Sequence, residues 1–240
     1  MDGDRAAIIA GITQAAPAGR RALVAIDGIG ASGKTTLASA IAARITTRPV
    51  IVLHVDDFFN PAAVRHARGR LSPEGFWLDS YNHSALISSA LQPLSEAGPV
   101  LYRASSFDRG TGETVVPDPV RAPADSLVLV EGTFLHRDEL VGFWDHSLFL
   151  DVPFDVAAER MARRDGLSHE AVDKRRGRYD GAQQLYFRAA RPWARAGAVV
   201  DTTELDRPVL IAADSAAAAG EVGLGPSPRA QPATGQGGCG

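Results

Sequence analysis

Eight residues constrain this chain more than any others: Gly28-Ile-Gly-Ala-Ser-Gly33-Lys34-Thr35. They match G-x-x-x-x-G-K-[ST] in full. An apolar run at 22–26 precedes them, and a helical pattern at 34–45 follows, with Leu37, Ala40, Ile41 and Ala43 facing inward. Glycines in such a turn let the backbone curl until its N–H groups converge on phosphate oxygens. The start of the following helix adds the positive end of its dipole. Lys34 supplies a mobile point charge for β- and γ-phosphates, and the Thr35 hydroxyl suits Mg²⁺. Gly28, Gly30, Ala31, Ser32, Gly33, Lys34, Thr35 and Thr36 are therefore the expected nucleotide cradle. A dinucleotide fingerprint, Gly28-x-Gly30-x-x-Gly33 with Asp56 as its ribose acid, overlaps the same residues. Lys34 and Thr35 decide against it, because a triphosphate site needs them and a dinucleotide turn does not.

The rest of the chain is consistent with one α/β domain of 240 residues, 45% of them hydrophobic. A net charge of -3 and a pI near 6.1 disfavour nucleic acid as partner. The one cysteine, Cys239, excludes an intrachain disulfide framework. With no signal-like or membrane-length apolar run, the expected location is the cytoplasm, with no membrane partner. A homo-oligomer is left open. Of 25 cationic residues only Lys34 and Lys174 are lysine, which singles out the lysine of the phosphate turn.

Further apolar runs at 50–55, 127–130, 147–152 and 198–201 alternate with helical patterns at 5–17, 84–94, 155–165 and 170–195. Fully apolar strands separated by helices predict a mainly parallel five-stranded sheet covered on both faces, the three-layer P-loop fold. Residues 60–82 read as irregular. From 213 the composition turns to Ala, Gly, Pro and Ser, so the domain is expected to span 1–212 and the remainder to be a disordered tail.

Strand ends in such a sheet face the ligand crevice, so acids there carry chemistry. His54-Val-Asp56-Asp57-Phe-Phe59 ends the second strand. Asp56 is the expected acceptor of the proton from an attacking hydroxyl; Asp57 is its neighbour on the substrate side, or a helix cap. Glu131, ending the third strand, is expected to hold Mg²⁺ beside Thr35. Arg160, Arg163 and Arg164 fall at helical spacing, followed by Arg175, Arg176 and Arg178. They predict an Arg-rich lid at about 155–180 that supplies guanidinium groups to a moving phosphate. Neither an N-K-x-D guanine motif nor an L-S-G-G-Q stretch is present. The six histidines show no metal-ligand spacing.

In this order, the phosphate turn, D-D-F-F, E-G, R-x-x-R-R-D and the later R-Y…Y-F-R resemble the uridine kinase-like family over residues 20–210. The resemblance implies an ATP- and Mg²⁺-dependent kinase acting on a hydroxyl of a small molecule. It makes Asp56 the catalytic aspartate, Glu131 the magnesium-side acid, and Arg160 and Arg164 the lid arginines. Acceptor residues are then expected between the second and third strands, with Tyr81, Asn82 and Tyr102 as candidates and Arg176 from the lid; Phe76, Trp77, Tyr81 and Tyr102 read equally as an aromatic wall or as core. Two positions depart from the nucleoside-kinase pattern: Asn82 stands where an aspartate holds the ribose diol, and Phe107 where a histidine contacts the base. Uridine and cytidine are accordingly expected to be poor substrates. A kinase of a non-nucleoside alcohol, such as a sugar acid or pantothenate-like compound, and a non-catalytic nucleotide-binding regulator are the alternatives.

Overall fold

The computed structural model describes residues 3–16, 19–166 and 169–222. Six strands form the central sheet: β1 (Ala22–Gly28), β2 (Val50–His54), β3 (Leu127–Gly132), β4 (His146–Asp151), β5 (Ala198–Asp201) and β6 (Val209–Ile211), in the order β6-β5-β4-β1-β3-β2. The five expected strands are parallel. The sixth, β6, is antiparallel to β5 and was not anticipated. A run of only three apolar residues, Val209-Leu210-Ile211, is too short to show a period.

The pleat sorts the strand residues between two apolar layers. Val24, Ile26, Leu129 and Leu148 meet α1 (Gly3–Ala15) and α2 (Lys34–Arg44) through Ile8, Ile12, Leu37 and Ile41. Leu23, Ala25, Val128, Val130 and Phe149 face a larger layer containing Phe58, Leu86, Phe134, Tyr186, Phe187 and Trp193. Every residue of β1 and β3 is buried, as befits strands covered on both faces.

Three expectations about the chain path are corrected. Residues 60–82 are not wholly irregular: Ala62–Arg65 is a helical turn and Pro73–Asp79 forms α3. Ser72 caps α3 by accepting from Gly75 N at 3.0 Å, and Pro73 sits where no N–H is needed. The helix α5 (His169–Ala190) stops at Arg191, whose φ is 45°, before Pro192 opens a separate turn, Pro192–Arg195. The ordered chain also continues past 212. Residues Ala213–Ser215 and Ala217–Glu221 are helical, and Ala216 and Ala218 are buried. The buried carboxylate of Asp151 accepts from Ala217 N and Ala218 N, at 2.7 and 3.1 Å, and so pins this segment to the end of β4. The rest of the expected tail, 223–240, lies outside the described residues.

Candidate active site

Strand register assembles the site. Ile26 pairs with Glu131, and Asp27 with Gly132, between β1 and β3. His54 pairs with Glu131 between β2 and β3. The ends of β1, β3 and β2 thus bring the phosphate turn, Glu131 and the segment after His54 to one rim. A cavity of about 630 Å³ opens there, lined by Gly30, Ala31, Gly33, Lys34, Thr35, Thr36, Asp56, Tyr81, Glu131, Arg160, Arg164 and Arg176 from the expected set.

The turn itself is shaped for an anion. Gly33, at φ 92°, is the N-cap residue of α2 and offers no side chain to its first N–H groups. Ser32 is fully buried, and its Oγ has no hydrogen-bond partner among the described residues. The Lys34 ammonium donates to the carbonyls of Gly28 and Ile29 at 3.0 and 2.7 Å. Burial lowers its pKa, while Glu131, Asp56 and Asp27 oppose the shift. A buried hydroxyl without a partner, an uncapped helix start and a lysine beside them suit a polyphosphate.

The acids stand opposite. Thr35 donates to Glu131 Oε1 at 2.9 Å, and His54 Nδ1 lies 2.6 Å from the same oxygen. A hydroxyl and a carboxylate in contact are hard oxygen donors of the kind Mg²⁺ takes. Asp56 accepts from the Tyr81 phenol at 3.1 Å. Burial first, then the Asp56 charge, raise the Tyr81 pKa well above its ordinary value, so the phenol stays a donor. Asp57 turns away from the cavity, 3.9 Å from Arg109, with its pKa raised by burial.

Several expected residues lie elsewhere. Asn82 does not line the cavity; its Oδ1 accepts from Ala85 N at 2.9 Å and caps the helical turn His83–Leu86. Its side-chain oxygen is thereby committed to a backbone donor. Tyr102 is buried in the core, away from the cavity, and so is not an acceptor residue by position. Of the expected aromatic wall, Phe76 and Tyr81 line the cavity, whereas Trp77 packs on Phe134 and Tyr186. Phe107 edges against Phe59. Gly28 and Ser32 support the turn from behind the lining residues.

The first helix of the expected lid, α4 (Phe154–Asp165), is anchored in the core through Ala157, and α5 is anchored through Ala182, just past the expected bounds. Arg160 donates through Nη2 to Thr202 and Thr203 carbonyls, at 2.8 and 2.6 Å, and through Nη1 to Ala31 O at 3.5 Å. It links the phosphate turn to the loop after β5 while lining the cavity. Arg164 pairs with Asp165 at 2.7 Å and Arg176 with Asp180 at 3.1 Å. The side chain of Arg175 lies outside the described residues.

Phe59, of the D-D-F-F segment, and Tyr179, of R-Y…Y-F-R, also line the cavity; Thr133, Phe154, Asp180, Gln183 and Leu205 do so without any motif. Gln183 is buried, and its Oε1 has no partner among the described residues. Beneath the site, fully buried Asp27 accepts from Gly28 N, Phe134 N, His136 N, His136 Nδ1 and the Tyr186 phenol. Its two oxygens tie the phosphate turn, the loop after β3 and α5 to one point. Among the described residues, no group of three or more metal-ligating side chains of the His, Cys, Asp and Glu type gathers. No helix among them is long and apolar enough to cross a membrane.

No protein-family model matches the chain. It is 25% identical to the uridine kinase of Shewanella frigidimarina over 180 residues, 71% of this chain and 78% of that one. To the uridine kinase of Lactiplantibacillus plantarum it is 26% identical over 152 residues, 61% and 68% of the two chains. The solved structure of a possible uridine kinase from Bacillus stearothermophilus superposes with a TM-score of 0.65 at 24% identity, covering 82% of this chain and 97% of the other. In sequence the chain is thus similar to uridine kinases, and its fold is that of the P-loop kinases.

Proposed function

We propose that this kinase transfers the γ-phosphate of Mg²⁺-bound ATP to a hydroxyl group of a small molecule. The observation that carries the reading is the convergence of Lys34, Thr35, Asp56 and Glu131 on one cavity. Backbone N–H groups of 30–35 and the Lys34 ammonium would hold the phosphates. Thr35 and Glu131 would hold the metal, which when bound neutralises charge on the transferring group. Asp56 takes the proton of the acceptor hydroxyl, and the Tyr81 phenol fixes which Asp56 oxygen is left to do so. Arg164 and Arg176, on the two helices that border the cavity, face the path of the moving phosphate. Phe59, Phe76 and Tyr81 form a dry wall for the body of the acceptor, with Phe59 and Tyr81 stacked at 4.8 Å.

The cap role of Asn82 removes one of the two reasons for expecting uridine to be a poor substrate; Phe107, edge-on to the wall residue Phe59, remains the other. A regulator without turnover would have no use for Asp56 within reach of the phosphate turn. Screening ATP consumption against nucleosides, sugars and hydroxy acids tests the proposal. ADP formation that depends on one class of alcohol and disappears in Asp56→Asn supports it; ADP formation indifferent to every alcohol and to Asp56 overturns it.

A further inference from the structure

Arg65 and Arg178 lie over rings of the acceptor wall without an acid, and the charge of Arg70 reaches Arg178. Arg65 ends the turn Ala62–Arg65, Arg70 lies in the loop that follows, and Arg178 comes from α5. Close packing of α3 on α5 brings them together: a Cβ on Gly181 would stand 2.9 Å from Pro73 Cγ. The Arg65 guanidinium carbon sits 5.0 Å from the Phe59 ring centre, and that of Arg178 sits 5.1 Å from the Phe76 ring centre. Both rings line the cavity.

These cations differ from their neighbours. Arg68, Arg164 and Arg176 each have a carboxylate, Asp79, Asp165 and Asp180 respectively. Among the described residues Arg65, Arg70 and Arg178 have none, and Nε of Arg65 and of Arg178 is buried without a hydrogen-bond partner. Burial chiefly, and then the charges of Arg178, Arg70 and Arg65, lower the pKa of His66. Like charges gathered at the edge of a cavity, in a chain of net charge -3, cost Coulomb energy that a structural role does not require. Planar guanidinium forks match the oxygens of a carboxylate or phosphate.

We infer that Arg65, Arg70 and Arg178 form an anion subsite, and that the acceptor is a small alcohol carrying a carboxylate or phosphate at the end remote from the reacting hydroxyl. This rests on the kinase reading above. The hydroxyl lies at Asp56; the Tyr81 and Phe59 rings span the distance to Arg65 through contacts of 3.1, 4.8 and 5.0 Å. The acceptor body crosses those rings and its anionic end meets the guanidiniums.

The test is calorimetric binding to the full chain preloaded with Mg²⁺ and a non-hydrolysable ATP analogue. The probes are glycerol, glycerate and glycerol 3-phosphate, and ribose and ribose 5-phosphate. An anionic member should bind at least about tenfold tighter than its neutral parent. Glycerate ahead of glycerol 3-phosphate identifies a carboxylate site, and the reverse order a phosphate site. In Arg65→Gln/Arg178→Gln the preference should vanish while the affinity for the ATP analogue stays the same. Arg70→Gln, on an exposed loop, should weaken the anionic alcohol about threefold or more and serves if the double variant does not fold. Equal binding of neutral and anionic members, no binding by any of them, or a preference that survives the substitutions overturns the subsite. Failure of the wild-type chain to bind the ATP analogue strikes the kinase reading itself and takes the subsite with it.

Discussion

Thr35 donates its hydroxyl hydrogen to Oε1 of Glu131 across 2.9 Å, joining the first turn of α2 to the end of β3. The two residues expected to share a metal are therefore already in contact. Glu131→Gln keeps the size and loses the charge. It should raise the Mg²⁺ requirement by about 10–100-fold, the range for disturbed metal sites. Mn²⁺ binding followed by electron paramagnetic resonance checks this independently of turnover, and an unchanged affinity would remove Glu131 from the metal site.

Asp56→Asn should lower kcat by about 10²–10⁴-fold with little change in ATP affinity. Tyr81→Phe removes one hydrogen bond to that carboxylate and should cost about 2–10-fold in kcat. If Asp57→Asn does more harm than Asp56→Asn, the base is the other acid.

Lys34→Ala should abolish turnover and weaken ATP binding. Lys34→Arg should fail as well, because a planar fork cannot replace a compact ammonium that reaches both the Gly28 and Ile29 carbonyls. Equilibrium binding of a fluorescent ATP analogue, measured with steady-state rates, reads both effects; wild-type rates in either variant would be incompatible with the phosphate-turn reading.

His83 predicts how stability follows pH. Burial chiefly, and then the Arg137 charge, lower its pKa to about 4. Arg137 Nη1 lies 3.3 and 3.2 Å from the two ring nitrogens, and its guanidinium covers Trp77. The unfolded chain takes up the proton near pH 6.5 and the folded chain only near 4, so stability is lost as pH falls through that window, by at most about 1.4 kcal/mol per pH unit. Urea unfolding at pH 7, 6 and 5 should show the slope, and His83→Gln should flatten it.

Ending the chain at 212 strips Asp151 of the Ala217 and Ala218 donors and leaves a buried carboxylate poorly paired. The loss should be at least about 2 kcal/mol, or roughly 4–8 °C in Tm. Ending it at 222 keeps both bonds and should leave Tm near that of the full chain. Equal Tm for the two truncations would show that the docked segment contributes nothing.

The phosphate turn, the parallel sheet and the acids at strand ends were legible because each is local. A run of apolar residues, a glycine spacing and the residue that ends a strand need no knowledge of distant chain. Glu131 and Asp56 were found this way, and both line the cavity with Lys34 and Thr35. Motif position alone misplaced Asn82, left Tyr102 open between wall and core, and did not reveal the partners that hold Arg160 at the cavity. Each is a polar or aromatic group whose partner comes from three-dimensional neighbours: a backbone amide at 85, the core, and carbonyls at 202 and 203.

By itself, the sequence determined that this chain would build a phosphate-binding turn on a parallel sheet, since glycine conformations and strand periodicity are properties of short segments. Only the tertiary structure decided what surrounds that turn. Asp27 joins the phosphate turn to residues 134, 136 and 186, and α5 brings Arg178 beside Arg65 and Arg70. Such pairings depend on the register of strands and the closeness of helix packing, which no local pattern encodes.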